Sequence, residues 1–321
     1  MPKLVGLSVV ITGASSGIGK ATALAFARQG ASVTLASRSK GELAKVARQC
    51  VDEGGRAQFV ETDVTSAMQM RALVEAAVRR YGRVDVWVNN AGVGAVGRFT
   101  EVPVEAHDQV IRTNLMGYLH GDHAVLPHFL KRRAGVLINV VSFGAFVGTP
   151  FGASYTATKF GLRGLSESLR AELQDEPGIH VCDVFPGFVD TPGVGHAGNY
   201  TGHRLNERAP DRPEEVAAAI VRLARHPRDK VSVGAVAKLA PLAYALAPGL
   251  GRWTMTRLLG FATASAPAQK PQPGSLFAPG DNGGISGPLP VGRIGGLDAV
   301  VLLVLGAAVT AMSLQRRHKG S

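Results

Sequence analysis

A short apolar run, a glycine-rich turn and a helix open the chain, and they restrict its fold more than any other stretch. Leu7–Ile11 reads as a buried strand. Thr12-Gly13-Ala14-Ser15-Ser16-Gly17-Ile18-Gly19 follows, and helical periodicity then runs to about Gln29. Strand, glycine turn and helix in that order make a phosphate cradle: glycines let the backbone approach a diphosphate, and the helix N-terminus offers unpaired N–H groups and positive potential. The spacing is Gly-x-x-x-Gly-x-Gly rather than Gly-x-Gly-x-x-Gly, so the turn alone is a weak indicator. The apolar run enters the turn with no small-residue cleavage region, so it is expected to be a first strand and not a secretion signal.

The pattern then alternates. Ser32–Ala36, Ala57–Glu61, Val84–Val88, Gly135–Val141, His180–Phe185 and Val231–Val233 read as strands. Lys40–Glu53, Ser66–Tyr81, much of Val104–Arg132, Ser154–Glu172 and Pro213–Arg225 read as helices, with Asp211 a possible cap for the last. Strands alternating with helices predict an α/β fold with a doubly wound parallel sheet. In such sheets ligands bind beyond the carboxyl ends of the strands. That rim carries the glycine turn, Arg38, Asn89-Asn90-Ala91-Gly92, Ser142 and Pro186-Gly187.

Two features there bear chemistry. Tyr155 and Lys159 are four apart, which on a helix puts them on one face. An ammonium beside a phenol favours the phenolate and brings its proton exchange toward neutrality. Ser142 leaves a strand end where its hydroxyl can meet that phenol. Alone, a Tyr-x-x-x-Lys pair is more often an ordinary surface pair. The second strand ends in Ser37-Arg38 where dinucleotide folds usually carry an acid for the ribose hydroxyls. A cation there suits a 2′-phosphate; a solvated turn arginine is the plainer reading. His120, His123 and His128 lack companion ligands at metal spacing, and no metal is expected. His196 and His203 read as loop polar groups. Cys50 and Cys182 form no disulfide framework, which points to a reducing compartment.

Taken together, Thr12-Gly13-x-x-x-Gly17-x-Gly19, Asn89-Asn90-Ala91-Gly92, Asn114, Ser142, Tyr155-x-x-x-Lys159 and Pro186-Gly187-x-Val189-x-Thr191 resemble the short-chain dehydrogenase/reductase family over roughly residues 4–234. The resemblance implies a Rossmann-type sheet of about seven strands flanked by helices. It implies Tyr155 as acid/base, Ser142 polarising the substrate oxygen, Lys159 tuning Tyr155 and touching the nicotinamide ribose, and Asn114 holding a helix irregularity and a proton-relay water. Gly13, Ser15, Ser16, Gly17, Ile18 and Gly19 are expected around the diphosphate, and Ser37 and Arg38 at the adenosine ribose with NADP(H) preferred over NAD(H). Asp63 and Val64 are expected at the adenine, and Asn90, Ala91 and Gly92 along the cleft. Pro186, Gly187, Val189 and Thr191 are expected at the carboxamide. It also implies a homodimer or homotetramer through the helices bearing Asn114 and Tyr155. A scaffold or redox sensor that binds the cofactor without turnover is the rival reading, and the intact Asn114, Ser142, Tyr155 and Lys159 argue against it.

The net charge of +11 is uneven: from Lys230 onward there are nine Lys/Arg against Asp281 and Asp298, and no acid stands between Lys230 and Gly280. The basic tail lacks interleaved aromatics and a basic cluster, which disfavours nucleic acid. It suits an anionic membrane surface better. Leu239–Phe261 is apolar and broken by Pro241 and Pro248. It reads as two short helices that cover a substrate mouth, rest in a membrane interface or simply pack on the core. The expected layout is a catalytic domain over 1–262 with a substrate loop at about 188–212, then a Pro/Gly-rich flexible linker over 263–296. A hydrophobic, membrane-anchoring helix over 297–315 and a basic tail over 316–321 complete it. The uncharged part, Ala299–Leu314, would be about 24 Å long as a helix, slightly short for a span. A full span, entry into one leaflet, and pairing with Leu239–Phe261 stay open. The catalytic domain is expected to face the cytoplasm and its substrate to be lipophilic, and a cut after Pro273 to separate it from the anchor.

Overall fold

The computed structural model describes residues 4–205, 211–264, 266–280 and 283–286. In chain order the first elements are β1 (Ser8–Thr12), α1 (Gly17–Ala27), β2 (Ser32–Ser37), α2 (Lys40–Asp52), β3 (Arg56–Glu61), α3 (Ala67–Tyr81) and β4 (Val86–Asn89). A short β5 (Ala95–Val96) leads to α4 (Val104–Ile111), a π-helical turn at Arg112–Met116, and α5 (Gly117–Arg132). β6 (Gly135–Val140), α6 (Ala153–Glu172) and β7 (Ile179–Pro186) follow. α7 (Pro192–Gly195), β8 (Gly198–Asn199), α8 (Pro213–Arg225), β9 (Lys230–Val233), α9 (Ala235–Leu246) and α10 (Pro248–Ala264) complete the order.

Seven strands form one parallel sheet in the order β3-β2-β1-β4-β6-β7-β9, and β5 pairs with β8 in a separate ribbon. The order reverses direction between β1 and β4, which opens a crevice at their carboxyl ends. β1 is buried along its whole length, as a strand covered on both faces must be. Ala23, Phe26, Leu43, Val46 and Ile220 close one face of the sheet from α1, α2 and α8. Met70, Leu73, Val125 and Phe129 close the other from α3 and α5. Elements predicted from periodicity agree with these bounds to within a residue or two. Asp211 is not the cap of α8; Arg212 is. Asp211 instead bridges Val189 through its backbone.

A buried polar chain ties the central strands to the helices that carry the site. Asn89 Nδ2 donates to Asp122 Oδ1 at 2.6 Å and to Asn139 Oδ1 at 2.9 Å. Asn139 Nδ2 donates to Ser166 Oγ, which donates to Asp183 Oδ1. Arg170 closes the far end on Asp183. Burial pushes the Asp122 carboxyl up to about 8, so at neutral pH it is held largely as the acid. This chain fixes α5 and α6 against the sheet, and hence the side chains they aim at the crevice.

The C-terminal part differs from expectation. The described portions of the supposed flexible linker, 266–280 and 283–286, pack on the catalytic body. Residues 266–275 run against the loop at 196–204, with two-way hydrogen bonds between Asn199 and Gln272. Leu276 is fully buried beside Ala95, Val102, Ala106 and Val110. Proline and glycine removed regular structure here, as composition suggested, but main-chain hydrogen bonds and one apolar anchor hold an irregular segment equally well. A cut after Pro273 would therefore remove part of the body and not only a tail. Among the described residues no helix is long and apolar enough to cross a membrane. The expected hydrophobic helix at 297–315 and basic tail at 316–321 lie outside the described residues.

Candidate active site

The crevice beyond β1, β4, β6 and β7 is a cleft of about 470 Å³. At one end stands the glycine turn. Gly13 and Gly17 have φ of +64° and +53°, a region where a side chain is strained. A Cβ on Gly19 would lie 2.2 Å from the Gly13 carbonyl, so that glycine allows α1 to start tight against the turn and faces away from the cleft. Asn90 braces the turn, its Nδ2 donating to the carbonyls of Thr12 and Gly13. Ser15, Ser16, Gly17, Ile18, Ser37, Arg38, Asp63 and Val64 line this end of the cleft, and Ala91 and Gly92 its floor.

At the other end three sequence-predicted groups meet. Tyr155 and Lys159 project from α6 and Ser142 from the end of β6, all lining the cleft. Gly144 lies between the Ser142 hydroxyl and the Tyr155 ring edge: a Cβ added to it would lie 3.5 Å from the first and 3.7 Å from the second. Ser142 holds φ 151° and ψ 157°, a region that is almost glycine-only and costs about 1–3 kcal/mol. Its Oγ accepts from Gly144 N at 3.1 Å, so the strained backbone and the turn together aim the hydroxyl. Nothing in the sequence signalled this strain.

Lys159 is buried, with its ammonium 5.4 Å from the ring centroids of both Tyr155 and Tyr118. It donates to the Val140 carbonyl at 3.3 Å, which also accepts from Tyr118 at 2.8 Å. Burial pulls its pKa down to about 7, since a desolvated ammonium is disfavoured. Asn114 stands behind the cleft in the π-helical turn, and that is the irregularity expected of it. Its side chain makes a two-way clamp on Val93, at 2.8 and 2.9 Å. Pro186, Gly187, Val189 and Thr191 border the cleft after β7.

Sequence reasoning missed the apolar walls. Val93, Phe143, Phe151, Phe188, Ala197 and Leu205 surround the end beyond Ser142. Phe143 and Phe188 meet edge to face at 5.1 Å, and α9 packs on Phe143 through Val236, Ala237 and Ala240. Ala240, within the 239–261 stretch, thus packs on the core. Ser275, Pro279, Gly280 and Gly283 form a further wall. The histidines on α5 work separately: His120 donates to the Val64 carbonyl, and His128 accepts from Val84 N. Among the described residues no cluster is placed to hold a metal.

A glycine turn at a helix start and a Tyr–Lys–Ser cluster in one cleft equip the chain to hold a dinucleotide beside a proton donor. The family model for short chain dehydrogenases matches residues 8–199. The chain is a short-chain dehydrogenase. This short-chain dehydrogenase is 36% identical over 265 residues to an uncharacterized oxidoreductase, YxnA, of Bacillus subtilis, covering 81% of the chain and 74% of the relative. It is 36% identical over 226 residues to the 3-oxoacyl-[acyl-carrier-protein] reductase FabG of Thermotoga maritima, covering 69% of the chain and 92% of that protein. A solved alcohol dehydrogenase of Thermococcus sibiricus, complexed with 5-hydroxy-NADP, has a TM-score of 0.63 at 29% identity, over 71% of this chain and 95% of the other. A short-chain dehydrogenase/reductase of Burkholderia phymatum, in complex with NAD, has a TM-score of 0.67 at 26% identity, over 77% and 96%. This short-chain dehydrogenase is therefore an oxidoreductase whose fold binds a nicotinamide cofactor.

Proposed function

We propose that the enzyme uses NADP(H) to interconvert an alcohol and a carbonyl on an uncharged, lipophilic small molecule, with Tyr155 as the acid/base. The observation that carries this reading is that Ser142, Tyr155 and Lys159 line one cleft with the glycine turn, the buried Lys159 ammonium standing 5.4 Å from the Tyr155 ring centroid. The positive-φ glycines and the opening of α1 onto the cleft fit a dinucleotide diphosphate. The bound nicotinamide supplies or accepts the hydride. In reduction, the Tyr155 hydroxyl gives its proton to the substrate oxygen and the Ser142 hydroxyl donates a hydrogen bond to the same oxygen, stabilising the charge that develops there. The Lys159 ammonium favours the phenolate left behind. The apolar walls, with no carboxylate or arginine among the described residues around Ser142, favour a substrate without charge. NADPH oxidation with a panel of lipophilic ketones and aldehydes tests the reading; no turnover across the panel would defeat it.

Arg38 supports the NADP(H) preference. It lines the cleft just after β2, whose end carries Ser37 and no acid, although Glu42 and Asp63 line the cleft as well. A charge-assisted hydrogen bond is worth about 1.5–3 kcal/mol, or about ten- to a hundredfold in affinity. Arg38→Ala is expected to weaken NADP(H) by about that factor and NAD(H) much less, as read by fluorescence titration. Equal dissociation constants for the two cofactors in the wild type would refute the preference.

We further propose attachment to a membrane through 297–315, with the catalytic domain toward the cytoplasm. Leu242, Leu246 and Trp253 are exposed on α9 and α10, in the acid-free basic region, as an interfacial surface would need. Full-length protein is expected to sediment with membranes and require detergent for release; a soluble full-length chain would end the proposal. Exposed Ile111, Met116, Leu119 and Phe160, beside Asn114 and on the Tyr155 helix, support a homodimer or homotetramer through these helices.

A further inference from the structure

The segment after α10 does more than end the catalytic body. Arg38 Nη2 donates to the carbonyls of Ser275 at 2.7 Å and Ala278 at 3.5 Å, and Nη1 donates to that of Leu276 at 3.2 Å. Farther along, Gly17 N donates to the Gly284 carbonyl and Lys20 Nζ to the Gly283 carbonyl, both at 2.9 Å. The segment therefore reaches both the adenosine side and the diphosphate side of the cleft.

We infer that residues 275–280 are the outer wall of the cofactor site and fix the Arg38 guanidinium in the pose that meets a 2′-phosphate. The last clause rests on the NADP(H) reading above. Three observations favour a wall over a plug at the Arg38 side; at the diphosphate side the Gly284 carbonyl occupies the Gly17 N–H and must yield it to a diphosphate. Ser275, Pro279 and Gly280 line the same cleft as Gly13, Ile18 and Asp63 and do not close it. The three carbonyls take both Nη2 N–H groups and one on Nη1, which leaves Nε–H and one Nη1–H, on different edges, as donors to an anion. The partners of Arg38 are neutral carbonyls and not a carboxylate, so its charge remains available to an anion. Leu276 pins the wall in the pocket of Ala95, Val102, Ala106 and Val110. Gly274, with φ +55°, makes the turn before it; a Cβ there would lie 2.2 Å from the His196 carbonyl. A guanidinium held in place in advance loses less freedom on binding, and that is a gain in affinity.

Hydrogen exchange on the full chain reads the wall directly. The amides of Gln269, Gln272 and Ser275 are bonded to the carbonyls of Gly202, Asn199 and His196. They are expected to exchange more slowly when NADPH is added at saturation. Faster exchange would mean that the cofactor displaces the segment, and would overturn the inference. In parallel, Leu276→Asp, which sets a charge in the apolar pocket, is expected to raise the NADPH dissociation constant about tenfold through faster release. The NADH constant should rise less. Unchanged or tighter NADPH binding by this variant would also overturn it. If Leu276→Asp does not fold, the exchange measurement on the wild type decides alone. Equal affinity of the wild type for NADPH and NADH would defeat the 2′-phosphate reading, and protection of the three amides by NADH would still support or reject the wall.

Discussion

Tyr155→Phe is expected to lower the rate of hydride transfer by about 10²–10⁴ while leaving the dissociation constant for NADPH within about twofold, the range for loss of a general acid. The substitution removes one hydroxyl and keeps the ring, so the packing of α6 and the 5.4 Å approach of the Lys159 ammonium to the ring should persist. Ser142 still polarises the substrate oxygen, so a residual rate is expected. Stopped-flow mixing of the NADPH complex with an active ketone isolates the chemical step from product release. A near wild-type rate in that measurement would remove Tyr155 from its assigned role.

Lys159→Met is expected to do two opposite things. Turnover should fall at least about a hundredfold and NADPH should bind more weakly, because one ammonium serves the phenol and the cofactor. Stability at pH 6 should rise by several degrees in melting temperature, because a buried ammonium is replaced by an apolar chain of similar length. The Val140 carbonyl keeps its bond from Tyr118, so no acceptor is orphaned. The sign of the pH dependence follows from the lowered pKa. The unfolded lysine holds its proton to about 10.4, whereas the folded one gives it up at about 7. Between those values the unfolded state binds more protons, so wild-type stability rises with pH there. The advantage of the methionine variant should shrink across the same window. Calorimetry at pH 6, 8 and 10 that showed a constant difference would contradict the burial cost assigned to Lys159.

What could be read in advance follows from the range of each interaction. Tyr155 and Lys159 are one helical turn apart and Gly13 to Gly19 lie in one turn, so spacing alone places them. Arg38 was identifiable as a cation in the right place, but its partners lie about 240 residues farther on, and no local pattern encodes them. The Asn89–Asp122–Asn139–Ser166–Asp183 chain draws one member from each of several elements. Each looks like an ordinary polar residue until the sheet is assembled. The strained backbone of Ser142 is a property of its dihedral angles and has no signature in residue type. The segment after α10 was misjudged because proline and glycine report the absence of helix and strand, not the absence of contacts. The apolar lining at Phe143, Phe151 and Phe188 was within reach of hydropathy, yet only the closing of loops over the sheet brings these rings together.

The seam between residues 196–204 and 266–275 has a consequence for traffic through the enzyme. One strand of the seam borders the substrate end at His196 and Ala197, and the continuation of the other, 275–280, lines the adenosine end. The two ends of the cleft thus share one hydrogen-bonded seam. An enzyme built this way should follow a compulsory order, with the nucleotide entering first and leaving last, because a seated substrate holds shut the strip that the nucleotide must pass. Product inhibition patterns would then be competitive between the two nucleotide forms, and noncompetitive between either nucleotide and the alcohol.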